Sequence, residues 1–251
     1  MDYLYDGSFD GFLTCVHRHY YAKSPREKAE GIFVRDAYRG DLVRAAAFIE
    51  TDAEKANAVN AAIAEKISGF DLERIYHVFC TETPEKEMKL LRYIRLGFRR
   101  GPGVGLLHGD PIVFEIQKAQ RRLGTEVNRL CGLIRFSVVH SAREILYARI
   151  EPDNDVLEFL APHFTDRFHS DPFIIHDLRR SKALISYGHE WYITELADEG
   201  LFERAADEDE IRALWRGYFD AMAIRERINP RCQRNMMPAR YWKHLIEMRG
   251  E

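Results

Sequence analysis

The sequence predicts an α+β protein: a helical N-terminal half, then a mostly antiparallel sheet in the C-terminal half with helices packed on it. Three observations carry that prediction. Up to about residue 131, apolar residues recur mainly at helical spacing, in segments opened by cap residues. Beyond Gly132 the pattern changes to short runs rich in Ile, Val, Phe and Tyr, bounded by turn residues. No low-complexity linker or repeat separates the two parts, so residues 1–251 read as one integrated domain, with a helical lobe about 1–131 and a sheet-containing lobe about 132–251.

The elements follow in order. Tyr3-Leu4-Tyr5 alternates like a half-buried strand and stops at the turn pair Asp6-Gly7. Ser8 is placed to cap a helix over 9–21, where Phe9, Phe12, Leu13 and Val16 share a face. Ile32-Phe33-Val34 suggests a second strand. Thr51 or Asp52 opens an Ala-rich helix to about Lys66, and another follows near 71–81. Thr83-Pro84 reads as a cap followed by proline at the first helical position, starting a helix to about Phe98. Leu91, Ile94 and Phe98 make its apolar stripe, and Arg92, Arg95 and Arg99 share another face.

The run Gly101-Pro102-Gly103-Val104-Gly105 lacks both the Lys-Ser/Thr of a P-loop and the GxGxxG spacing, so it reads as a permissive connector. Asp110-Pro111 opens the next helix, to about Cys131, with Ile112, Ile116, Ala119, Leu123, Val127 and Leu130 inward and Lys118, Arg121, Arg122 and Arg129 outward. Strands are expected at 133–138, 145–150, 172–176, 183–187 and 190–194, the last two joined by a hairpin turn at 186–190. Helices are expected near 154–168 and 207–226. The stretch from Asn229-Pro230 reads as a loop before a short helix starting at Pro238.

Composition excludes several classes. At 251 residues and 46% hydrophobic, the chain is neither disordered nor fibrous. No apolar run reaches the roughly 18 residues of a membrane span, and the opening MDYLYDGSFDG lacks signal-peptide regions, so the expectation is a cytoplasmic protein with no membrane association. Cys15, Cys80, Cys131 and Cys232 form no CxxC pair, which argues against disulfide, zinc-ribbon or iron–sulfur chemistry. No cofactor is expected.

Net charge is −3, yet it is segregated: residues 86–135 carry +7, residues 225–249 carry +5 and the remainder −15. Such asymmetry suits an anionic partner. Arg92, Arg95, Arg99, Lys118, Arg121 and Arg122 are candidate phosphate contacts. Arg240-Tyr241-Trp242-Lys243 interleaves cations with aromatic rings, as phosphate contact with base stacking requires. The competing reading is a C-terminal helix docked on the core through Tyr241, Trp242 and Leu245, with its charges solvated.

Catalytic signals are sparse. No GxSxG, HExxH, EF-hand or kinase signature occurs, and His189-Glu190-Trp191 lacks the second histidine of a zinc motif. His163, His169 and His176, with Asp166 and Asp177, are spaced too irregularly for a metal site, and none is expected. His176-Asp177, at a strand end, is the candidate general acid/base pair; the alternative is a turn in which Asp177 caps backbone N–H groups.

Several segments together carry a resemblance. Tyr5-Asp6-Gly7-Ser8-Phe9-Asp10-Gly11-Phe12-Leu13 resembles the opening of a bacterial family described as "probable DNA metabolism protein". Arg92–Phe98, Ala148–Asp153, Leu160–Phe164, Ile174–Asp177 and Met237–Leu245 resemble the motifs of its associated domain of unknown function 4130. The similarity spans nearly the whole chain. It implies a DNA partner and cooperation with a separate radical-SAM protein proposed to act in DNA modification or repair. Related domains occur fused to uracil-DNA-glycosylase-like proteins. This chain lacks closely spaced cysteines, so it reads as the accessory and not the radical enzyme. The leading expectation is therefore an accessory protein in DNA metabolism that binds nucleic acid. The alternatives are a nucleobase- or nucleotide-processing enzyme using His176 and Asp177, and a protein-interaction scaffold that never touches nucleic acid.

Overall fold

In a computed structural model of the chain, residues 1–40, 44–140, 144–197, 203–204, 230–245 and 248 are described. The helix expected at 207–226 lies outside them. The chain forms two compact units, 1–123 and 124–251, and the divide falls inside one long helix.

The first unit opens with β1 (Asp2–Tyr5) and α1 (Phe9–Tyr20), joined by the expected turn. The Ser8 side chain accepts the Gly11 N–H at 2.9 Å, which satisfies one of the donors a helix start leaves unpaired. Two further strands, β2 (Gly31–Val34) and β3 (Ala46–Phe48), pair with β1 on either side, both parallel to it. This small parallel sheet adds to the helical half; β3 was not legible because three residues, Ala-Ala-Phe, give no alternation to read. Tyr3 and Tyr5 are fully buried between the layers.

Three helices follow: α2 (Ala53–Lys66), α3 (Gly69–Phe79) and α4 (Lys86–Arg100). Asp52 and Ser68 cap the first two by accepting backbone N–H groups of their first turns. α4 begins two residues later than Thr83-Pro84 suggested. Glu85 sits at φ +54°, a left-handed conformation no helix accommodates, so residues 83–86 form a turn first. The long helix α5 (Pro111–Leu133) starts at the expected Asp110, whose carboxylate accepts the Ile112 N–H. Val113, Ile116, Ala119 and Leu123 supply its buried stripe.

The second unit carries a six-stranded sheet: β4 (Ser137–His140), β5 (Glu144–Ile150), β6 (Phe173–Asp177), β7 (Lys182–Tyr187), β8 (Glu190–Glu195) and β9 (Glu203–Arg204), in the order β8-β7-β6-β5-β4-β9. Only β5 and β6 run parallel, and α6 (Leu157–Arg167) makes the crossover between them that a parallel pair needs. Every other pairing is antiparallel. The β7–β8 hairpin closes through Gly188 at φ +65°, the positive angle a two-residue hairpin turn demands. β4 starts later than the strand expected at 133–138, because α5 continues through Leu133. At the C-terminus, residues expected as a loop form a helix, α7 (Pro230–Met236), with proline at its first position. A 3₁₀ turn over Ala239–His244 follows.

Candidate nucleic-acid interface

In α4 the helical period sends Leu90, Leu91, Tyr93, Ile94 and Leu96 inward and leaves Arg92, Arg95 and Arg99 exposed at spacings of three and four, on one stripe. Gly97 lets this helix approach the end of α2 closely: a Cβ there would lie 2.4 Å from the Ile67 side chain. None of the three arginines forms an ion pair among the described residues. Along α5, Lys118, Arg121 and Arg122 are likewise exposed. The Lys118 ammonium lies 5.9 Å from the Phe114 ring centre, and Arg121 donates to the Gln117 carbonyl.

Beside the α4 arginines lies a feature that the sequence reading passed over. The end of α1 presents His17, Tyr20 and Tyr21. The His17 and Tyr21 rings stack with centres 4.4 Å apart, and Tyr20 meets Phe98 of α4 edge-on at 5.6 Å. With Ala58, Val59 and Ala62 of α2, these rings line a groove of about 420 Å³. Burial pushes the Tyr20 phenol up, while the guanidinium groups of Arg95 and Arg99 are near enough to oppose that shift. Burial also holds His19 below the ordinary histidine value, aided by the charges of Arg95 and Lys28. The signal that marks this region is His17-Arg18-His19-Tyr20-Tyr21, five consecutive aromatic or cationic residues at a helix end.

The C-terminal signature is arranged differently. Tyr241 is buried and donates its hydroxyl to Glu126 at 2.6 Å. Glu126, itself buried, also accepts the Asp153 and Asn154 backbone N–H groups and the Asn154 side-chain amide. These hydrogen bonds outweigh burial and hold its carboxyl below the ordinary glutamate value. Arg240 pairs with Asp153 at 2.8 Å and donates to the Tyr241 oxygen at 2.9 Å. Lys243 pairs with Glu151, and the Trp242 indole donates to the Met237 carbonyl. All four residues expected as a second patch therefore have intrachain partners.

His176 and Asp177 are the last two residues of β6. Both are buried. The His176 ring stands 2.8 Å from the Leu196 carbonyl through Nε2, which must be the protonated nitrogen, and Nδ1 is left to accept the Tyr147 hydroxyl at 2.7 Å. Asp177 accepts the Arg179 and Arg180 backbone N–H groups and pairs with the Arg180 guanidinium at 3.1 Å. Burial raises its carboxyl above the ordinary aspartate value despite that cation. For Asp177 these contacts are those of the turn-capping alternative. Among the described residues, no three His, Cys, Asp or Glu side chains converge as metal ligands. The buried Cys15 thiol is pushed up to about 12, so it is not a nucleophile near neutral pH.

Fold and surface define an α+β protein with exposed cations along the faces of α4 and α5, the former beside an aromatic groove. No described helix is long and apolar enough to cross a membrane. Residues 84–247 match the domain of unknown function DUF4130, and the chain belongs to that family. α4 falls inside the matched residues; α1 and α2 precede them. No curated protein and no solved structure matches the chain.

Proposed function

We propose that this protein binds nucleic acid through the basic faces of α4 and α5, as an accessory in DNA metabolism. One observation carries the reading: Arg92, Arg95 and Arg99 lie on one exposed stripe without an acidic partner among the described residues. The segment 86–135 that holds them carries +7 in a chain of net charge −3. A stripe of exposed cations within it suits phosphates at helical spacing. The C-terminal residues 240–243 take a supporting role, since their cations are already paired. Cooperation with a radical-SAM enzyme follows from the family resemblance and belongs to the same proposal.

The test is fluorescence anisotropy of the full chain with labelled DNA across a salt series. Affinity should fall log-linearly with salt. Arg92→Glu with Arg95→Glu should weaken binding and flatten the slope by about 0.7 to 0.9 for each phosphate contact removed. Unchanged affinity and slope in that variant would sink the assignment. Absence of binding at low salt would transfer the basic faces to an acidic protein partner.

A further inference from the structure

We infer that the groove between α1 and α2 is a stacking slot for an unpaired base of single-stranded nucleic acid, with Arg95 and Arg99 taking the adjoining phosphates. The inference rests on the nucleic-acid reading above and narrows it to one substrate class.

The groove exists for local reasons. α2 is Ala-rich, and Ala58 and Ala62, four residues apart, lie on the same side of the helix. Their short side chains leave room that a Leu or Ile would fill. On the opposite side the last turn of α1 supplies large rings, and Gly97 draws α4 in so that Phe98 supplies another. At about 420 Å³ the space falls within the range of about 300–1,000 Å³ typical of small-molecule sites.

Its chemistry is specific in two respects. Flat π surfaces are offered to solvent, since Tyr21 is 74% exposed and its inner face rests on His17. A soluble protein leaves such a ring pair open at a stability disadvantage unless something covers it. The lining carries the cation Lys66 and no carboxylate, and Arg95 and Arg99 adjoin through Tyr20 and Phe98. An occupant therefore has a flat aromatic part and anionic groups beside it. A nucleotide within a strand has that pattern. In a duplex the base faces are already stacked on their neighbours and only edges reach the grooves, so a concave aromatic slot accepts an unpaired base.

The experiment uses the full chain and three labelled probes of equal length: oligo(dT), an abasic strand with the same phosphates, and a duplex. Oligo(dT) should bind tightest, and the abasic strand should report the phosphate contribution alone. Loss of one stacked base corresponds to about a 5- to 150-fold loss of affinity. Tyr21→Ala, at an exposed position, and Ala58→Leu, which fills the slot, should each weaken oligo(dT) within that range. Both should leave the abasic strand and the melting temperature unchanged. Equal binding of all three probes, or a duplex preference, overturns the slot while the nucleic-acid reading stands. Oligo(dT) affinity that neither variant changes has the same meaning. Failure of all three probes to bind at low salt overturns both.

Discussion

The helix α4 and the C-terminal turn 239–244 have similar ingredients and opposite fates. Each places a tyrosine among cations, Arg92-Tyr93 with Arg95 in one and Arg240-Tyr241 with Lys243 in the other. In each the phenol is buried and donates to a carboxylate, Tyr93 to Asp71 at 2.7 Å and Tyr241 to Glu126 at 2.6 Å. An arginine completes each cluster. In the first unit it is Arg74, from α3, nearly fully buried and paired with Asp71 at 2.6 Å. In the second it is Arg240, the tyrosine's own neighbour in sequence. That difference of origin decides what remains at the surface. α4 borrows its buried cation from another helix, and its own arginines have no ion-pair partner among the described residues. The C-terminal turn uses its own, and Lys243 is held by Glu151.

The largest effect expected from this comparison is on stability. Glu126→Ala removes the acceptor for the Tyr241 hydroxyl, two backbone N–H groups and the Asn154 amide at once. The buried donors left unpaired should cost about 3–5 kcal/mol. By scanning calorimetry that is a fall in melting temperature of about 6–20 °C for a chain of this size. A loss under about 1 kcal/mol would mean that the C-terminal turn is not anchored through this carboxylate. Asp71→Ala should act comparably in the first unit, since Tyr93 and Arg74 depend on it in the same way.

A smaller effect separates the two regions by function. Arg95→Glu with Arg99→Glu should lower nucleic-acid affinity about ten- to a hundredfold at moderate salt, since each phosphate contact is worth a power of the salt concentration. Folding should be unaffected, because neither residue has an ion-pair partner to lose among the described residues. Arg240→Ala with Lys243→Ala should show the reverse, a lowered melting temperature with a much smaller change in affinity at matched salt. Exposed pairs such as Lys243–Glu151 contribute only about 0–1 kcal/mol, so most of that loss should come from Arg240. Equal affinity losses in the two variants would erase the distinction and restore residues 240–243 as a full second patch.

Much of this frame was legible in the sequence, for reasons that particular residues show. Ser8 and Asp110 marked helix starts because a side-chain acceptor must sit there, and the Ile/Val/Phe/Tyr runs after Gly132 marked strands through their β-branched and aromatic residues, with β6 buried throughout and β8 exposed. The stripe Arg92–Arg95–Arg99 followed from the helical period alone. What escaped was set by long-range partners. Nothing near Tyr241 announces Glu126, 115 positions away, and nothing near Phe98 announces Tyr20. Glu85 escaped because its left-handed backbone is not written in a residue type that favours it. His176-Asp177 could be read as an acid/base pair or, with more weight, as a turn, and the Leu196 carbonyl and the Tyr147 hydroxyl that hold the His176 ring lie 20 and 29 residues away.

The smallest expected effect is a pH dependence that belongs to the second unit. Glu126 titrates below its ordinary value of 4.5 when folded, because its hydrogen bonds favour the carboxylate. The stabilisation is therefore fully present above the unfolded value and is lost as pH falls from about 4.5 through the folded one. Replacing it with glutamine keeps the shape and an acceptor oxygen while removing the titration. Urea unfolding of the wild type and Glu126→Gln at pH 7, 5, 4 and 3 isolates this contribution. The gap between them should be constant from pH 7 to 5 and then narrow by up to about 1.4 kcal/mol per pH unit, the limit for one proton. A gap that stays constant down to pH 3 would show that the Glu126 carboxyl is not tied to the fold through its charge. The anchoring of the C-terminal turn would then rest on Arg240 and its contact with Asp153 instead.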